Sequence, residues 1–118
     1  MIRLCDYVLS ADQNIRFAMH VDHFGNIQCM KSIGLYQLPA DTAQKLADTV
    51  AVLTAGILKT FSQHHGCFQH LTLKHQNYTT IAQATKTGVL IYTTIEPIES
   101  KTVQHIKETI EIYLEQEL

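Results

Sequence analysis

With 118 residues, the chain is long enough to bury one core and reads as a single domain over 1–118. Apolar residues make up 46% and charged residues 17%, a charged share below the roughly 25% of an average soluble domain, which hints at a surface partly covered by a partner. A net charge of −2 excludes the clustered Lys and Arg that nucleic acid or an anionic membrane would demand.

Residues 2–11 read as a short helix with Ile2, Cys5, Val8 and Leu9 on one face, ended by Asp12-Gln13-Asn14. A helix this short has little stability of its own and must dock on the body. Charge at Arg3 and Asp6 interrupts the opening too early for the apolar core of a signal peptide. Residues 15–21 alternate, with Ile15, Phe17, Met19 and Val21 on one side and Arg16, Ala18 and His20 on the other, the pattern of a half-buried strand. Asp22-His23-Phe24-Gly25-Asn26 is a turn, with Gly25 and Asn26 suited to positive φ, and Ile27–Lys31 returns as the second strand of a hairpin. Ser32 to Ala40 is a connection broken by Gly34 and Pro39.

The longest periodic segment is 41–63. Ala43, Leu46, Val50, Leu53, Ile57 and Phe61 recur at spacings of three and four and define one inward helical face. Asp41 is placed to cap the start, Gln44 sits where a capping-box partner belongs, and Gly66 ends the helix. A second line of small residues, Ala47, Ala51 and Ala55, has Val52, Gly56 and Leu58 beside it. Covering a sheet needs one face only. Either this helix is buried all round in its own domain, or its small-residue face meets a copy of itself. The apolar run from Leu46 to Leu58 is too short, and too interrupted by Asp48, Thr49 and Thr54, to insert into a membrane.

Three strands follow: Cys67–His75, Tyr78–Ala84 and Val89–Ile95, separated by turns at His75-Gln76-Asn77 and Thr85–Gly88. The last is nearly continuous in apolar, β-branched residues and is expected at the sheet centre, buried on both faces. Pro97 closes it. Ser100 caps a final helix with Val103, Ile106, Ile110, Tyr113 and Leu114 inward, a possible Lys107–Glu111 pair, and a last turn that Glu115 and Glu117 should fray. The fold class is therefore α+β, in the order α-β-β-α-β-β-β-α. A five-stranded antiparallel sheet carries one long helix on one face and the N- and C-terminal helices on the other.

Two patterns invite chemistry. His64, His65, Cys67 and His70 lie close together, as do His20, His23 and Cys29, among seven histidines in all. Neither group has a standard zinc spacing, and strand alternation sends Cys67 and His70 to opposite faces. The plain alternative is helix-terminal histidines interacting with the C-terminal dipole and the remainder at the surface. The cysteines Cys5, Cys29 and Cys67 are odd in number and widely spaced, which reads as no disulfide framework, a reduced cytoplasmic setting, and small core residues at Cys29 and Cys67. No nucleophile elbow, metalloprotease helix or phosphate-cradling glycine loop is present, so no catalytic residue and no cofactor is assigned. Tyr7, Tyr36, Tyr78 and Tyr113 are either partner anchors or sheet-edge packing.

The element order resembles the roadblock/dynein light chain-type fold, within the longin and profilin-like group. The likeness is carried by the hairpin Phe17–Ile27 with its Asp-x-x-Gly turn, by the long helix, and by the meander Leu71-Thr72-Leu73, Thr80-Ile81-Ala82 and Gly88–Tyr92, with glycine just before the most apolar strand. The opening Leu4-Cys5-Asp6 with Ile15-Arg16-Phe17-Ala18 is also similar to small archaeal proteins of this type. The resemblance implies a non-enzymatic homodimer, often a regulator or scaffold for a small Ras-like GTPase or a subunit of a larger complex. Carried onto these residues, it implies a dimer surface at Ala47, Ala51, Ala55, Leu58, Phe68, His70 and Thr72, along the long helix and the strand Phe68–Lys74. No GTPase-contact motif maps onto the chain residue by residue. A metal- or small-ligand-binding sensor using the His and Cys residues is the alternative function.

Overall fold

The most apolar strand lies at the centre of the sheet. The computed structural model describes residues 4–34, 36–95 and 99–117, with the side chains of Ile57, Leu58 and 113–117 left aside. Its elements are α1 (Leu4–Ala11), β1 (Ile15–Asp22), β2 (Ile27–Ser32), α2 (Ala40–Ala55), α3 (Ile57–His65), β3 (His70–Lys74), β4 (Thr79–Thr85), β5 (Gly88–Thr94) and α4 (Ser100–Glu117). The five strands run in the order β2-β1-β5-β4-β3, every pairing antiparallel. All of β5 is buried, as its apolar run requires. The expectations for Ile2 and Pro97 and for the side chains of Ile57, Leu58, Tyr113 and Leu114 lie outside the described residues, and α4 is helical to Glu117, where fraying of the last turn was expected.

Each sheet face has its own core. On one, Leu4, Val8 and Leu9 of α1 and Val103, Ile106 and Ile110 of α4 close over Ala18, Leu90 and Tyr92. On the other, Ala43, Ala47 and Val50 of α2 close over Phe17, Met19, Val21 and Ile91. This is the two-faced α+β arrangement expected from the element order. No described helix is long and apolar enough to cross a membrane.

The structure departs from expectation at six places, each for a local physical reason. The long helix is two helices. Gly56, at φ −103° and ψ −95°, leaves helical geometry, and its N–H still bonds the Val52 carbonyl at 2.9 Å. Glycine is the weakest helix former after proline, and this position is exposed, so no packing holds the helix through it. Nor does Asp41 cap the start. The helix opens at Ala40 behind Pro39, the Asp41 carboxylate takes only the next N–H, from Thr42, and Gln44 turns to other partners.

The inward line also drifts. Ala43, Ala47 and Val50 are buried, Leu46 packs at the flank, and Phe61 at the far end is 53% exposed. Ala47, fully buried in its own core, is therefore unavailable to a partner. Strand β1 is buried on both sides rather than half-buried, with Ala18 and His20 closed in by the α1/α4 layer and the β4–β5 turn. A register shift between Ile15 and Phe17 carries Ile15 to the α1/α4 cluster, against the simple alternation.

Strand β3 is shorter than the span 67–75. Gly66, at φ +90°, ends α3, and residues 67–69 are used to reach the sheet edge, with the Phe68 N–H held by the Ser62 hydroxyl. Finally, Cys5 and Cys29 form a disulfide with Cα atoms 6.2 Å apart, and Cys67 is an exposed free thiol. This corrects the reading of three reduced thiols with small core residues at 29 and 67. The pairing follows from α1 lying across β2, a contact that sequence spacing does not report.

Candidate functional site

The side of the molecule that carries α2 and α3 has exposed apolar surface. Val52 is 72% exposed and Phe61 53% exposed, the latter touching only the ring of His65 among the aromatic contacts described. Below these helices runs β3, an edge strand bonded only to β4 among the described residues. Leu71 tucks under α2, whereas Leu73, two residues on and on the same face, stays 38% exposed. An open edge presents unpaired N–H and C=O groups, a template for another strand.

The residues implied for a dimer surface fall into separate places. Ala51 is half-buried against Gly25 of the hairpin turn. Ala55 and Phe68 line a groove of about 510 Å³ under the α2–α3 break, together with Lys59, Ser62, Cys67 and Val89. His70 and Thr72 are exposed on the opposite sheet face, in a smaller groove of about 290 Å³ shared with Gln104 and Lys107 of α4. Ala47 is in the core, and the Leu58 side chain is outside the described residues. Sequence reasoning missed the outward turn of Phe61. The signal that would have located it is Gly56, which resets the helical phase between Leu53 and Phe61.

A single turn braces the helical side against the sheet. The Asp22 carboxylate accepts from the backbone N–H groups of Phe24 and Asn26, both at 2.9 Å, and from the side-chain amides of Asn26 and Gln28 at 3.2 and 3.1 Å. These bonds, led by that from the Asn26 N–H, hold the carboxyl below its usual range. Gly25 supplies the positive φ, +88°, and Asn26 does not adopt one. The Gln44 amide of α2 then donates to the Gly25 carbonyl at 3.2 Å.

Of the seven histidines, His20 is buried and the other six are exposed. Burial pushes the pKa of His20 down, partly offset by Asp22, and its Nε2 lies 3.4 Å from the Thr85 and Thr87 hydroxyls. His23 Nε2 sits 3.3 Å from the Lys86 carbonyl. Among the described residues, no group of three or more His, Cys, Asp or Glu is placed to hold a metal ion, so neither the group His64, His65, Cys67 and His70 nor the group His20, His23 and Cys29 converges. Tyr36 packs edge-on to Tyr78 and tilts against Phe17, which assigns both tyrosines to packing.

Solved structures share this architecture. The chain is similar to an MglB with a tetrameric arrangement at 17% identity and a TM-score of 0.74, over 98% of this chain and 88% of that one. It is similar to the gliding protein mglB from Thermus thermophilus at 16% identity and a TM-score of 0.72, over 92% and 80%. With a Roadblock/LC7 domain from Streptomyces avermitilis it shares 9% identity and a TM-score of 0.75, over 96% and 92%. At such identities the likeness establishes the fold, which is that of roadblock/LC7 domains. No protein-family model and no curated protein sequence matches the chain.

Proposed function

We propose that the chain is a homodimerising protein-interaction module, acting by binding rather than catalysis, that regulates or scaffolds a small Ras-like GTPase. The observation that carries the reading is the apolar surface of Val52 and Phe61 beside the open edge of β3. Pairing two β3 edges would join two five-stranded sheets and bring two helical sides together. Ala55 and Phe68 remain in this proposed surface, joined by Val52, Phe61 and Leu73, while Ala47 leaves it. The GTPase rests on the roadblock resemblance, and one neighbour of the same fold is described in a tetrameric arrangement.

Sedimentation equilibrium at tens of micromolar tests the pairing. The chain should sediment as a dimer, and Val52→Asp should give a monomer with unchanged β-sheet content. A monomeric parent chain, or a dimer indifferent to Val52→Asp and Phe61→Asp alike, overturns it. The GTPase half is tested by retention of host Ras-like GTPases on the immobilised chain with GTP analogue against GDP. Equal absence in both states refutes it.

A further inference from the structure

We propose that Cys5 and Cys29 form a reversible thiol–disulfide clasp that controls how firmly α1 and β2 are held to the rest of the fold. Helix α1 is eight residues long, too short to persist alone, so docking decides whether it exists. Strand β2 is an edge strand whose residues alternate between partly buried and exposed, and among the described residues it pairs with β1 only. These two weakly anchored elements are tied to each other twice. The disulfide joins Cys5 to Cys29, and Asp6 forms an ion pair with Lys31. Cys29 and Lys31 are two apart on one strand and so present the same side to α1.

The two sulfurs differ in access. Cys5 is 2% exposed within the α1/α4 core, whereas Cys29 is half-buried at its margin. Reduction therefore starts at Cys29. A thiolate of glutathione class attacks the Cys29 sulfur and forms a mixed disulfide there. The Cys5–Cys29 bond breaks, and Cys5 leaves as a thiolate that takes up a proton. A second glutathione thiolate attacks the mixed disulfide on the glutathione sulfur, releasing Cys29, which is protonated in turn, and oxidised glutathione. Two electrons and two protons pass to the protein, and two glutathione molecules become one disulfide. Reduction leaves α1 held by Leu4, Val8, Leu9 and the exposed Asp6–Lys31 pair, a pair of small worth in water.

The clasp lies at the β2 edge, and the proposed pairing surface lies at the β3 edge, so either reading can fail without the other. The test uses the full chain carrying Cys67→Ser, equilibrated across glutathione buffers from oxidised to reduced, with thiols trapped by N-ethylmaleimide and counted by intact mass. Amide exchange is followed in parallel. Both thiols should appear together within the glutathione range, and exchange over residues 4–11 should rise by about tenfold or more while β5 barely changes. Cys5→Ser with Cys29→Ser should show the reduced pattern in every buffer. If that variant does not fold, the titration of the parent chain decides alone. A bond that stays closed across the whole range, thiols that never pair, or exchange over 4–11 indifferent to reduction each overturns the proposal.

Discussion

The Tyr92 hydroxyl donates to the side-chain oxygen of Gln83 at 3.0 Å, with both residues buried beneath α1 and α4. Gln83 passes the connection on, its amide donating to the Val103 carbonyl at 3.1 Å. One polar chain thus joins β5, β4 and the first turn of α4 inside an otherwise apolar layer. A buried chain of this kind is stable only when every member is paired.

Removing its first donor should be costly. Tyr92→Phe leaves the Gln83 oxygen buried without a partner, an expected loss of about 1–3 kcal/mol in urea unfolding. Burial also pushes the Tyr92 hydroxyl well above its ordinary value of 10.0. The folded state then keeps a proton that the unfolded chain releases, so this stability is full below pH 10.0 and declines as pH rises above it. The alkaline decline should be shallower in Tyr92→Phe, and equal slopes in the two proteins would contradict the assignment.

His20 produces the opposite limb. Its folded pKa is lowered, chiefly by burial, so its contribution is present above the ordinary value of 6.5 and is lost as pH falls through the folded value. Asp22 opposes that shift and His23 adds to it. Unfolding free energy measured from pH 7.5 downwards should fall less steeply in His20→Gln than in the parent chain.

At Gly88 the constraint is space. A Cβ there would stand 1.9 Å from the Val21 carbonyl oxygen and 2.8 Å from the Asp22 Cα, both of them backbone. Neither can give way without parting β1 from β5 at the centre of the sheet. Gly88→Ala should therefore destabilise by roughly 3 kcal/mol or more, at the severe end for one substitution. A thermal midpoint within a few degrees of the parent would rule out this close approach.

Asp22→Ala should loosen the hairpin turn and, through Gly25, the seat of Gln44 on it. The lowered carboxyl pKa means its contribution is present above 3.8 and disappears as pH falls through the folded value. The expected outcome is a lower thermal midpoint at neutral pH that converges on the parent in strong acid.

Much of the fold was legible because it rests on local pattern. The apolar run Val89–Ile95 announced the central strand, Asp22 and Gly25 the hairpin turn, and Gly66 a helix end. The candidate site was legible only in part. Periodicity groups residues on a face but does not say what that face meets, so Ala47 was grouped with Ala51 and Ala55 although it closes the core. Tyr36 and Tyr78, open from sequence between partner anchors and sheet-edge packing, pack on each other.

What the sequence by itself determined, then, is the order of elements, the central strand and the turns, since each depends on residues adjacent along the chain. Tertiary structure alone decided the Cys5–Cys29 bond, the transfer of Ile15 to the α1/α4 layer and the outward position of Phe61. Those depend on how separate elements are set against one another. A helix laid across β2, a register slip against β5 and a break at Gly56 change neighbours without changing local pattern.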